Sequence, residues 1–332
     1  MVGASLRRRW LGHGMPRTKQ APVAFGVVID VLSFPSPDWS RKPEPRRARQ
    51  ALALNEEGRT ALARGDLEEA EQLFMRAIES NPLLGTPWFN LGLAYKRQRR
   101  WAEAAACNQQ AIKRGADHQD PAFWNLGIAA TALRDWDTAR MAWRGYGIEI
   151  PGDGPPNEDF GTSPVRLNPE TSGEVVWGQR IDPARIVVEN IPLPGSGHRW
   201  RDVILHDGEP QGERSVGDRI YPVFDELERW EASEVATWEC LVSGTTEEIA
   251  HLKDRFTEAG WAIEDWTASV RRLCRDCSLG SVGSHHHGPF ISTIEGSHVG
   301  IAAPRDVAET ILDTWAHSAD HRTRTDLIAV EN

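Results

Sequence analysis

The stretch "CRDCSLGSVGSHHH", residues 274–287, places a C-x-x-C pair, Cys274 and Cys277, seven residues ahead of three consecutive histidines. Two thiolates and two imidazoles make a tetrahedral Cys2His2 set whose charge balances one Zn2+. His285 and His287 are the natural pair, because alternate residues of an extended segment point to one side, which turns His286 away. The glycines and serines of the spacer suit a tight return. Four protein ligands leave no open position, so the expected Zn2+ is structural and braces a loop. A catalytic metal needs a vacant position and a base, for which Glu295 and Asp276 are the candidates. A thioredoxin-like redox pair would need a helix after Cys277, which "SLGSVGS" cannot form. An ordinary polar loop is the remaining alternative.

The elements around this loop must position it. "ATWECLVSG" reads as a strand, "TTEEIAHLKDRFTEAG" as a helix opened by a Thr245 to Glu248 capping box and ended by Gly260, and "WAIEDWTASVRRLC" as a strand. Beyond the loop, "SHVGIAAP" is a strand, "RDVAETILDTWAHSAD" a helix with Pro304 near its first turn, and "RTDLIAVE" a strand. This βαββαβ order over residues 236–332 is the split arrangement of a ferredoxin-like sandwich. Residues 174–235 read as a small antiparallel meander or barrel, with "EVVWGQRI", "ARIVVENIPL", "RDVILHDG" and "RIYPVFDEL" separated by the turn clusters "PGSG", "DGEPQG" and "SVGD". His198, His206, Asp202 and Asp207 lie there and read as satisfied surface polar groups. Residues 152–173, rich in Pro and Gly, read as a linker.

Residues 48–151 contain an internal repeat with a period of 34, then 35 residues. The matched positions are Leu54, Trp88 and Phe123; Gly58, Gly92 and Gly127; Ala61, Tyr95 and Ala130; Ala70, Ala104 and Ala139; Phe74, Asn108 and Trp143; and Ala77, Ala111 and Tyr146. The small residue lets the two helices of a hairpin approach closely. Leu67, Trp101 and Trp136 recur where each second helix begins and are expected to pack onto the next hairpin. Asn108 stands where a bulky apolar residue is usual, and Ala116 replaces a closing proline. The pattern resembles the tetratricopeptide repeat (TPR) family, which implies a solenoid of three helix hairpins. No polar capping helix follows Pro151, so the third repeat is expected to be covered by the next domain or by self-association.

The resemblance implies a protein or peptide partner on the concave face made by the first helix of each hairpin. That face would present Asn55, Arg59, Phe89, Asn90, Lys96, Arg97, Trp124 and Asn125, which suit an acidic partner segment. Pro121 and Asn125 stand where the family's carboxylate-binding arrangement has basic residues, so a strict C-terminal carboxylate clamp is not expected.

The 332-residue chain has a formal net charge of -10. Residues 1–50 hold ten Lys/Arg against three Asp/Glu, so residues 1–47 read as a basic arm left structurally uncommitted, with Met15 a second candidate start. Residues 174–332 hold 15 Lys/Arg and 28 Asp/Glu, which argues against a nucleic-acid surface. No segment approaches the ~20 apolar residues of a membrane span. "SLRRRWLG" lacks the apolar run an export signal requires. With Cys107 and Cys240 reading as small core residues, a reducing, cytoplasmic setting is expected. The expected architecture is α+β multidomain, and the expected function is an interaction scaffold or adaptor. A metal-dependent enzyme whose repeats recruit substrate or set oligomerisation is the alternative.

Overall fold

The computed structural model describes residues 44–115, 117–171, 173–267 and 296–331. The Cys/His loop with Cys274, Cys277, His285 and His287 lies outside them, as do Asp276, Glu295, Ala116 and the first 43 residues.

Six helices pair as three hairpins: α1 (Pro45–Arg64) with α2 (Leu67–Ser80), α3 (Gly85–Arg97) with α4 (Trp101–Lys113), and α5 (Pro121–Ala132) with α6 (Trp136–Tyr146). Each first helix ends in the same way. Gly65 at φ 85 bonds back to Leu62, and Asp66 to Ala61, which satisfies the last carbonyls through a left-handed residue. One repeat on, Arg99 (φ 58) takes this place, and then Arg134 (φ 60), with the same pair of backward bonds from Arg99 and Arg100 and from Arg134 and Asp135. The repeat geometry therefore holds two arginines where glycine would be cheaper.

The repeated glycines are roofed by the partner helix of their own hairpin. A Cβ on Gly58 would lie 2.6 Å from the Phe74 ring, one on Gly92 2.7 Å from Asn108 Nδ2, and one on Gly127 2.5 Å from Trp143. At Gly58 and Gly127 an aromatic ring takes the space a side chain would use; at Gly92 the end of the Asn108 amide does. Asn108 is fully buried; its Nδ2 donates to the Ala104 carbonyl at 2.8 Å, while its Oδ1 has no partner among the described residues. Asn108→Leu keeps the branched shape and removes the stranded oxygen. We expect it to raise the urea-unfolding free energy by about 1 kcal/mol, and a loss of stability would show that the amide is needed.

Next come β1 (Thr162–Leu167), β2 (Glu174–Arg180), β3 (Arg185–Val188), β4 (Val203–Val216) and β5 (Arg219–Glu231). They form an antiparallel meander that closes into a barrel through a parallel β1–β5 pairing at Val165–Phe224 and Arg166–Asp225. Val165, Leu167, Val176, Ile186, Val188 and Ile204 fill it. β1 lies inside the stretch that reads as a linker: Pro164 and Arg166 disguise its alternation, yet Arg166 is buried and pairs with Asp225 at 2.7 Å. A second difference is that "DGEPQG" is not a turn. β4 runs through it, with register shifts between His206 and Gly212, and the hairpin turns at Gly217 and Asp218.

The last unit contains β6 (Thr237–Ser243), α7 (Thr246–Glu258), β7 (Ala262–Asp265), β8 (Ser297–Ala302), α8 (Arg305–Ala316), β9 (Thr323–Arg324) and β10 (Ile328–Ala329). The strand order is β10-β6-β8-β7 with antiparallel neighbours, and β9 also pairs with β6. Thr245 and Glu248 form the expected reciprocal cap on α7. Leu252, Phe256, Leu312 and Trp315 from the two helices pack on Cys240, Val242, Ile263, Val299 and Ile301. Trp266 and Ala302 share a core with Ile191 and Trp200 from the loop after β3, and Glu264 accepts from the Ile191 N–H at 2.9 Å.

Candidate functional site

The first helices α1, α3 and α5 lie side by side, so the polar residues of the expected concave face come together. Asn90 Nδ2 donates to Asn55 Oδ1 at 2.8 Å, and both are buried. Lys96 is 5% exposed; its ammonium donates to Asn125 Oδ1 at 3.0 Å and reaches the Asp207 carboxylate at 2.9 Å. Trp124 stands edge-on to Trp143 and Tyr146, with centroids 5.1 and 4.8 Å away. Its indole edge lies so close over Gly208 that no Cβ fits there. Phe89 is half-buried against the helical core.

This arrangement differs from the expected open face, because Lys96, which also holds Asn125, and Trp124 meet the chain's own β4. Arg59 and Arg97 remain exposed, Arg59 beside Glu56 at 3.0 Å and Arg97 donating to the Leu62 carbonyl at 2.8 Å. The barrel also covers the third hairpin. Trp101 Nε1 donates to Glu228 at 3.0 Å, and Trp230 Nε1 to the Thr131 carbonyl at 3.1 Å. The Trp230 ring meets Trp136 and carries the guanidiniums of Arg134 and Arg185 at 3.8 and 4.5 Å. Asp182 fixes Arg185 at 2.6 Å, and Ala184 and Leu205 enter the helical core. Trp101 and Trp136 thus also face the barrel, which supplies the cover that a capping helix would otherwise give.

Asp202, His206 and His198 are buried, not on the surface as expected, at 0%, 0% and 5% exposure, and Asp207 is half-buried. His206 Nδ1 donates to the Asp207 carbonyl at 2.9 Å, which leaves Nε2 unprotonated and without a partner among the described residues. Burial, then the nearby Arg180, pushes its pKa down to about 3. His198 is the opposite case. Nδ1 faces the Ser196 carbonyl at 3.0 Å and Nε2 faces Glu226 at 2.8 Å. Two acceptors require two N–H groups, and although burial opposes the charge, the Glu226 hydrogen bond raises the pKa. Cys107 and Cys240 are buried core thiols, as expected, and burial raises the pKa of both, Cys240 to about 12. Among the described residues no group of three or more His, Cys, Asp or Glu could hold a metal ion, and no helix is long and apolar enough to cross a membrane.

Sequence reasoning took Asp207 for a surface polar group and missed Gly208, Glu228 and Trp230. The signal for Gly208 was an acid–glycine pair, which reads equally well as a turn.

No protein-family model and no curated protein matches the sequence. Among solved structures, the helical region is similar to the first TPR domain of human RPAP3, with 22% identity over 30% of this chain and 77% of that one and a TM-score of 0.28. It is also similar to the N-terminal domain of stress-induced protein-1 from C. elegans (23%, 30% and 84%, 0.29) and to the Arabidopsis OM64 TPR domain (18%, 30% and 82%, 0.29). With its 34- and 35-residue period and its roofed glycines, the helical region is a three-hairpin tetratricopeptide-type array followed by a sheet-rich part.

Proposed function

We propose that this chain is an interaction adaptor that binds an acidic protein or peptide segment along α1 and α3. The observation that carries the reading is the pair of exposed guanidiniums, Arg59 and Arg97, beside the Asn55–Asn90 floor, on a row whose third-repeat end is closed by the barrel. Exposed charges of this kind steer and select a partner while adding little to folding. Arg59→Glu with Arg97→Glu is expected to leave the helical circular dichroism unchanged. Capture of acidic peptides from an arrayed set should fall at least tenfold, and undiminished capture sinks the reading.

The sheet-rich part supplies the second half of the scaffold. We read residues 236–332 as a ferredoxin-like sandwich, a reading supported by the strand order and by α7 and α8 lying on one face. The Cys274, Cys277, His285 and His287 set is proposed from its spacing alone as a closed Zn2+ site with a structural role. Chain purified without chelator should carry about one zinc, and Cys274→Ser or Cys277→Ser should abolish it, since each removes one of two thiolates. Metal-free protein with an unchanged melting temperature in both variants would remove the site.

A further inference from the structure

We infer that Asp207 and Gly208 of β4 form a built-in ligand that occupies the carboxylate subsite of the helical groove and excludes partner segments of the same chemistry, an acidic residue followed by glycine. The inference rests on the reading of the groove as a partner site and adds its regulation.

Three observations converge on this segment. The first is charge: Lys96 is 5% exposed, and its ammonium meets a carboxylate at 2.9 Å and an amide oxygen at 3.0 Å. A lysine buried this deeply needs an anion, and the chain supplies its own. The second is shape: only glycine fits after the acid, because the Trp124 indole covers it. The third is the ladder. His206 pairs with Glu226 and Pro210 with Phe224, so residues 207–209 bulge out of the β4–β5 register and reach the groove, with the Asp207 carbonyl accepting from His206 Nδ1. Such a bulge can leave the groove while the barrel stays closed.

The fit is incomplete in one respect. Trp124 Nε1 is buried and has no acceptor among the described residues. An external segment that brings a carbonyl to this indole gains a hydrogen bond that Gly208 does not supply, which gives a partner its means of displacing the bulge. Without that gain the internal segment prevails, because a short tether gives it an effective concentration of order mM.

The test uses the full chain, since Ala184 and Leu205 of the barrel are part of the helical core. The probe is a fluorescent peptide with the sequence of residues 205–211, "LHDGEPQ", followed by anisotropy. Asp207→Ala and the isosteric Asp207→Asn empty the subsite of its carboxylate. Each variant should bind the peptide at least tenfold more tightly than the unaltered chain, with faster hydrogen exchange at residues 204–209. Adding Lys96→Gln should abolish the gain. A folded variant that binds no better than the unaltered chain overturns the inference, as does a gain that survives Lys96→Gln. If both Asp207 variants unfold, the segment is a structural element and the inference falls. Failure of the adaptor reading is separate: it appears as arrayed-peptide capture that Arg59→Glu with Arg97→Glu leaves undiminished, while the chain's own segment still binds the Asp207 variants.

Discussion

Gly127→Ala is expected to destabilise the helical array by about 3 kcal/mol, while Gly92→Ala, at the equivalent place one repeat earlier, should cost less than about 1 kcal/mol. The two glycines share a repeat position and differ in what roofs them. At Gly127 the new methyl would lie 2.5 to 2.7 Å from three atoms of the Trp143 ring, which is fully buried and held edge-on by Trp124. That ring has nowhere to retreat, so the helices must separate or the indole must leave its rotamer. At Gly92 the nearest atom is Asn108 Nδ2, the end of a side chain held there by one hydrogen bond to the Ala104 carbonyl, and the next contacts, Asn108 Cγ and Cys107 Cβ at 3.2 and 3.3 Å, need to give by only a few tenths of an ångström. Alanine also recovers about 0.8 kcal/mol of helix propensity over glycine, which offsets part of the smaller cost. Gly92→Leu forfeits that advantage, because a branched side chain reaches the opposite helix, and it should again cost about 3 kcal/mol. Urea midpoints for the three variants check the ranking. Equal losses for the two alanine variants would mean that the roof residue does not set the cost.

The repeat was legible because three copies multiply a weak signal: one Gly58 says little, but Gly58, Gly92 and Gly127 at a fixed interval define a packing requirement. The partner of each glycine was hidden, since Phe74, Asn108 and Trp143 lie sixteen residues on and across a turn. The left-handed turn was legible only at Gly65, because Arg99 and Arg134 are held in that conformation by the hairpin around them. The capping box of α7 was visible because all its parts lie within four residues. β1 was not, because a six-residue strand with Pro164 and Arg166 shows its alternation only once Asp225 and the barrel interior complete it.

The same contrast between local and distant holds at the groove. Its polar row could be read from helix positions, so Asn55, Asn90, Lys96 and Asn125 do come together. Its occupant could not, because the Lys96–Asp207 pair spans 111 residues and leaves no periodic trace. The burial of His206 is equally non-local, since its ring neighbours Phe224 and Arg180 come from β5 and β2, and could not be read from "LHDGEP".

That burial makes acid the second large perturbation. Between about pH 6.5 and pH 3 the chain is expected to lose stability by up to about 1.4 kcal/mol per pH unit through His206 alone. In the native state the ring is neutral, with a pKa pushed down to about 3, whereas in the unfolded chain it titrates near the ordinary histidine value. The unfolded state therefore binds the extra proton throughout this window: stability is complete above the upper value, falls as pH drops, and levels off below the lower one. The surroundings oppose the proton from several sides. Burial comes first, Arg180 on β2 repels the proton, and the Phe224 ring on β5 lies 4.9 Å away; the Asp207 carbonyl and carboxylate favour it but do not offset these, the carboxylate being paired with Lys96. His198 acts elsewhere on the scale. Its raised pKa gives stability that is full below the ordinary value and is lost as pH rises through the folded one, so it is flat across the acid window. Glu248, pushed down to about 2 by its cap and Arg322, loses its contribution only as pH falls below the usual carboxylate range. Asp225, whose carboxyl burial pushes up, acts in the opposite sense as pH falls, so the loss of stability from pH 6.5 to 5 belongs to His206. His206→Asn keeps a donor for the Asp207 carbonyl and cannot titrate, so urea midpoints measured every half unit should flatten in that variant. An unchanged slope would show that protonation at His206 does not limit the acid stability of the groove-filling segment.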